Sequence, residues 1–248
     1  MKYTVKLTTK VRAEKLAKVS KGKAILAIEP EDYSDAELKA IKAKGYTLLA
    51  YLSIGTISTE RSWYRKYSQY KLKRLPDWPK EYYMDMRYPQ WTAFLVRRAS
   101  ALKKRGFDGW WLDNLDVYEE YPSASMFNAC QSVLRSIKAL GGYVMVNGGS
   151  EFLDVSMDKK VAVGKLVNGV TQEEVFSRIT SYSGKGKFGK QTAGQSRFYQ
   201  KLLRRLLKSK VQTFLLEYTR DEAVKKQIKD FCTKYKMTGY CISRDVDL

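Results

Sequence analysis

The sequence predicts an α/β protein, a single-domain (β/α)8 TIM barrel with the final helix short or absent. Three observations carry that reading. Short β-rich apolar runs alternate with helix-like segments, eight such runs fit into 248 residues, and acidic or amide residues stand at the C-terminal ends of most of them. An open doubly wound sheet competes with it, but no Gly-rich phosphate loop follows the first strand.

Lys23 to Ile28 (KAILAI) reads as the first strand, stopped by Glu29-Pro30, and Ser34-Asp35 caps a helix to Lys44 that Gly45 ends. Tyr46 to Ile54 (YTLLAYLSI) is the second strand, followed by Gly55 and a polar, aromatic, partly helical stretch through Tyr70. Tyr82 to Met86 (YYMDM) reads as the third. Pro89 opens a helix through Arg105, with apolar spacing Trp91, Phe94, Leu95, Ala99, Leu102 and Gly106 at its stop. Phe107 to Asp113 is the fourth strand, Ser123 to Leu140 the next helix, and Tyr143 to Asn147 the fifth strand. Leu166 to Gln172, Val211 to Tyr218 and Gly239 to Ser243 complete the eight, with helices near Ser196 to Ser209 and from Asp221 to Tyr235. Ser181 to Ser196, rich in Gly, Ser and Lys, reads as a mobile loop on the C-terminal face. Residues 1–22 read as a basic segment packing on a barrel of residues 23–248, with Val11 to Val19 covering its closure.

Composition removes several chemistries. With no His there is no Ser-His-Asp triad, Cys-His dyad or His-containing zinc site, so acid/base work falls to Asp, Glu, Tyr, Lys or Cys. Cys130, Cys232 and Cys241 are too few and too far apart for a metal framework and read as small buried hydrophobes. No cofactor and no metal are expected, although carboxylates alone could hold Mg²⁺ or Ca²⁺. The 46 Lys and Arg against 26 Asp and Glu give +20, which draws polyanions non-specifically. That charge is dispersed along helix faces and no nucleic-acid motif accompanies it. No apolar run is long enough to span a bilayer, and the N-terminal residues lack the apolar core of a secretory signal.

Catalytic groups of such barrels sit at the C-terminal strand ends, and there the sequence places Glu29, Asp85, Asp113, Asn114, Asp116, Asn147, Glu173, Glu174, Glu217 and Asp245. Two carboxylates suffice to hydrolyse a glycosidic bond, and Tyr51, Trp63, Tyr64, Trp110, Trp111, Tyr118 and Tyr218 could stack on sugar rings. Strand alternation must turn one ring of Trp110-Trp111 outward.

These stretches resemble glycoside hydrolase family 114, the endo-α-1,4-polygalactosaminidase TIM barrels. The matching segments are Ala50-Tyr-Leu-Ser-Ile-Gly55 with Arg61, Tyr83-Met-Asp85 with Pro89 and Trp91, Gly106-Phe-Asp-Gly-Trp-Trp-Leu-Asp113-Asn-Leu-Asp116, Val146-Asn147-Gly, Glu173-Glu-Val-Phe176 and Glu217-Tyr218. The resemblance implies Asp113 and Glu173 as the catalytic pair, with Glu174 adjacent and exchangeable by a one-residue slip. It implies a polysaccharide substrate, a pocket lined by Tyr51, Asp85, Asn147 and Glu217, loop support from Arg61, and an extracellular or cell-surface setting; Glu29, Asn114, Asp116, Glu174 and Tyr218, placed at or near the same strand ends, are expected to join that lining. One departure is Gly55-Thr56-Ile57-Ser58, where the family commonly carries an acid. A carbohydrate-binding barrel without turnover and a polyanion-binding protein are the alternative classes.

Overall fold

The computed structural model describes residues 1–246. Its elements in chain order are β1 (Lys2–Lys6), β2 (Ala24–Ile28), α1 (Asp35–Lys42), β3 (Thr47–Ser53), β4 (Thr56–Ser58), α2 (Tyr64–Tyr67), β5 (Lys71–Arg74), β6 (Glu81–Met84), α3 (Pro89–Lys104), β7 (Gly109–Asp113), α4 (Val117–Glu120), α5 (Ala124–Ala139), β8 (Tyr143–Asn147), α6 (Ser150–Asp158), β9 (Gly169–Glu173), β10 (Ser177–Ser181), β11 (Lys187–Lys190), α7 (Ala193–Lys208), β12 (Gln212–Tyr218), α8 (Glu222–Tyr235) and β13 (Gly239–Ser243). Eight strands pair in the order β1-β2-β3-β7-β8-β9-β12-β13, every pairing parallel, which is the expected (β/α)8 barrel. At the closing seam the Met1 nitrogen donates to the Thr238 carbonyl at 2.8 Å. Among the described residues no helix follows β13, and none is long and apolar enough to cross a membrane. The last two residues of the expected barrel span, 247 and 248, lie outside the described residues.

Two strand assignments change. Lys2–Lys6 does not merely pack on the barrel but is one of its strands, paired with β2 from Lys2 opposite Ala24 to Lys6 opposite Ile28. Its lysines alternate with buried Tyr3 and Val5, so a basic composition masks a half-buried strand. Tyr82–Met86, in contrast, is not in the barrel: β6 lies between β4 and β5 in an antiparallel sheet that leaves the barrel after β3. The Ser181 to Ser196 loop is largely ordered as the β10–β11 hairpin, and α7 starts at Ala193 under a Thr192 cap rather than at Ser196.

Alternation along the strands fills the interior with Tyr3, Val5, Ile25, Ala27, Leu49, Trp111, Met145, Phe214 and Leu216. Trp110 turns the other way, and its Nε1 donates to the Ala99 carbonyl on α3 at 3.0 Å. Across the barrel floor Trp111 Nε1 donates to Tyr3 Oη at 2.7 Å, Tyr3 Oη bonds Thr171 Oγ1 at 2.8 Å, and Thr171 Oγ1 donates to Met145 Sδ at 3.2 Å. Tyr3 is therefore both acceptor and donor in a buried relay. Tyr3→Phe leaves the Trp111 N–H unpaired in the core and is expected to cost about 1–3 kcal/mol, read by denaturant unfolding, while an unaffected midpoint would show that the relay contributes nothing.

Candidate active site

The same period of two decides which strand-end side chains enter the barrel mouth. Tyr51 shares the face of Leu49, Asp113 that of Trp111, Asn147 that of Met145, Glu173 that of Thr171, and Tyr218 that of Leu216. These five line a cavity of about 470 Å³, together with Glu29, Arg61, Asn114, Asp116 and Glu174. At its centre Asn147 Nδ2 donates to Asp113 Oδ1 at 3.0 Å and to Glu173 Oε1 at 2.5 Å. Both bonds start from one nitrogen, so their lengths laid end to end in a straight line cap the gap between the two carboxyl oxygens at 5.5 Å. Tyr218 Oη donates to Glu173 Oε2 at 2.8 Å.

Burial pushes Asp113 up to about 7, the Asn147 bond opposing it and the charges of Glu173 and Asp116 adding to it. Burial likewise pushes Glu173 up to about 7 against its bonds from Asn147 and Tyr218, with Glu174 and Asp116 raising it further. Two carboxyls this close titrate as one unit, in two steps belonging to the pair.

The surrounding residues hold this arrangement. Asn114 adopts φ +63° and donates from Nδ2 to Ser53 Oγ at 3.0 Å. Its carbonyl sits so close to Gly55 that a Cβ there would fall 1.7 Å from the oxygen, so only glycine fits. Asp116 Oδ1 accepts from the Gly149 N–H at 2.9 Å, and burial raises its carboxyl. Arg61 grips Glu29 through two bonds of 3.0 and 2.6 Å and lies over the rings of Tyr51 and Trp63. Glu174, at φ +56°, accepts from the Ile179 N–H at 2.7 Å.

Two expected pocket residues fall outside the cavity. Asp85 follows β6, which is not a barrel strand, and its carboxylate is taken by Arg87 Nε and Nη2, both at 2.7 Å, bonds that hold it below the usual carboxylate range. Glu217 occupies the outward face of β12, opposite in sense to Tyr218. Fully buried, it accepts from the Ser177 N–H at 2.9 Å, Ser177 Oγ at 2.5 Å and the Phe176 N–H at 3.1 Å, which braces the turn leaving β9. Burial pushes it up to about 7.

Leu7, Thr8, Trp78, Glu81, Gln172, Ile179, Tyr182, Tyr199 and Val246 complete the lining without having been singled out from the sequence. Glu81 Oε2 accepts from Thr56 Oγ1 at 2.8 Å, so β6 brings a carboxylate to the place where Gly55-Thr56-Ile57-Ser58 lacks one. Among the described residues no three Cys, Asp or Glu converge as a metal site. Among the described residues the lining contains Glu29, Glu81, Asp113, Asp116, Glu173 and Glu174 against Arg61 as its one cation, an acidic cavity inside a chain of net charge +20.

The profile of glycoside-hydrolase family GH114 matches residues 3–248. A curated protein of Deinococcus radiodurans is 29% identical over 107 residues, 39% of this chain and 34% of its own length. One of Thermotoga maritima is 24% identical over 124 residues, 47% of this chain and 38% of its own length. The matches therefore span little more than a third of those relatives. The glycoside hydrolase domain of PelA from Pseudomonas aeruginosa superposes with a TM-score of 0.81 at 18% identity, covering 100% of this chain and 96% of that one. Aspergillus fumigatus Ega3, solved in complex with galactosamine, gives 0.72 at 13% identity, covering 98% and 90%. At these identities the likeness is one of fold.

The raised carboxyls set a pH dependence of stability. The folded state keeps protons that the unfolded chain releases near pH 4, so this contribution is full below about pH 4 and is lost as pH rises towards 7. Asp113→Asn removes one such group and should raise the melting temperature relative to wild type at pH 8 more than at pH 4. A difference independent of pH would contradict the burial argument.

Proposed function

The chain belongs to glycoside-hydrolase family GH114, and from that premise we propose that it cleaves within an amino-sugar polysaccharide of the α-1,4-linked galactosamine or N-acetylgalactosamine type, by double displacement with retention of configuration. The observation that carries this reading is the pair Asp113 and Glu173 tied to one Asn147 amide, their bonded oxygens at most 5.5 Å apart. Retaining glycosidases hold their carboxyls about 5–5.5 Å apart, whereas inverting ones need roughly 6.5–9.5 Å to admit a water.

Near neutrality the pair carries one proton, which is what the chemistry needs. Glu173 faces the negative charge of the adjacent Glu174, which does not act on Asp113, and retains the proton, acting as general acid on the glycosidic oxygen. Asp113, on a short side chain supported by Asn147 and the Asn114 N–H, attacks the anomeric carbon as carboxylate. The leaving sugar departs with the Glu173 proton. Glu173 then takes a proton from water, whose oxygen displaces Asp113 and regenerates the starting state. Asn147 positions both groups, and Tyr218 orients Glu173.

The acidic lining favours a sugar bearing a free ammonium, and galactosamine bound to Ega3 supports that sugar type. The positive exterior repels a polycation at long range, while the cavity attracts it at short range.

Reducing-end release from partly de-N-acetylated polygalactosamine tests the proposal. Wild type should release oligosaccharides whose first-formed anomer is α by NMR, with a rate that declines on both sides of about pH 7. Glu173→Gln should lower kcat about 10²–10⁴-fold, and Asp113→Asn should abolish turnover. A β-anomeric first product rejects retention, and no release from any amino-sugar polymer by folded wild type rejects catalysis in favour of a binding barrel.

A further inference from the structure

Trp78 and Tyr182, the exposed aromatics of the cavity lining among the described residues, have no part in the mechanism. Trp78 lies in the β5–β6 connection and Tyr182 in the β10–β11 hairpin, insertions that leave the barrel after β3 and after β9. Their rings meet edge to face across the mouth, centroids 5.4 Å apart at 62°. Neither joins an apolar core cluster, and Trp78 stays 49% exposed and Tyr182 40%. Of the five tryptophans, Trp91, Trp110 and Trp111 are fully buried and Trp63 is half-buried. Leaving this much aromatic surface in water, joined to a cavity, marks a binding site rather than a packing solution. The surroundings state the ligand's charge: burial, and after it the negative charges of Glu174, Glu173 and Asp77, push the Tyr182 phenol upward. An aromatic face attracts a cation, and tryptophan does so best.

We propose that Trp78 and Tyr182 form an aromatic clasp that receives one amino-sugar ring of the polymer outside the two residues whose bond is cut. The ring lays its C–H face on the aromatics, and its ammonium lies between the indole and the carboxylates of Glu174 and Asp77. The two insertions come from opposite flanks of the catalytic strands, so the clasp straddles the chain and fixes its path over Asp113 and Glu173. This rests on the glycosidase reading and adds to it a recognition element that acts on polymer rather than on the scissile unit.

The test compares kcat/KM for the polymer and for a short aryl α-galactosaminide in wild type, Trp78→Ala, Tyr182→Ala and Trp78→Phe, each checked for an unchanged melting temperature. Both alanine variants should lose about tenfold more on the polymer than on the aryl glycoside, through KM, and Trp78→Phe should recover most of the loss. Equal losses on both substrates, or none on the polymer, overturn the clasp. Should wild type cleave neither substrate, the glycosidase reading fails separately, and tryptophan emission decides the clasp. A polymer-induced blue shift present in wild type and absent in Trp78→Phe supports it, and no such difference overturns it.

Discussion

One amide nitrogen organises the site. Asn147 Nδ2 donates to Asp113 and Glu173 at once, holding in a buried setting two groups that would repel each other if both were ionised. Burial pushes both carboxyls up to about 7, and in the proposed mechanism the short tether lets one carboxyl attack while the other delivers the proton. Geometry and protonation thus have a common cause.

The barrel exists in this form to present that trio. Asp113, Asn147 and Glu173 come from three adjacent strands, β7, β8 and β9, and all face inward, Asn147 pairing with Thr171 two residues before Glu173. Beneath them the Trp111, Tyr3 and Thr171 relay closes the floor, and beside them Glu217 anchors the turn that follows Glu173. The arrangement is destabilising in itself, since Asp113, Glu173 and Glu217 are all raised to about 7 and are costly to ionise where they sit. The apolar interior on either side of the strands offsets that cost.

Much of this was legible in the chain because strand alternation and strand ends are local properties. Asp113, Asn147 and Glu173 close apolar runs, and the period of two turns all three inward. The same rule excludes Glu217 once Tyr218 faces in, since neighbours on a strand cannot share a face, so expecting both in the pocket neglects the alternation. Lys2–Lys6 carries a readable pattern as well, Tyr3, Val5 and Leu7 on one face, hidden under its lysines. Tyr82–Met86 has the composition of a barrel strand and joins a different sheet, because composition does not distinguish partners. Trp78, Glu81 and Tyr182 reach the cavity through the folding of two insertions, a tertiary outcome that no periodicity in their own segments encodes.

The most direct measurement is a carboxyl ¹³C NMR titration of wild type, with Asp113→Asn and Glu173→Gln to assign the signals. The account predicts two coupled steps centred near pH 7 in wild type, and in each single variant one titration that burial still holds above the ordinary carboxylate range. Two independent titrations near pH 4 in wild type would contradict it.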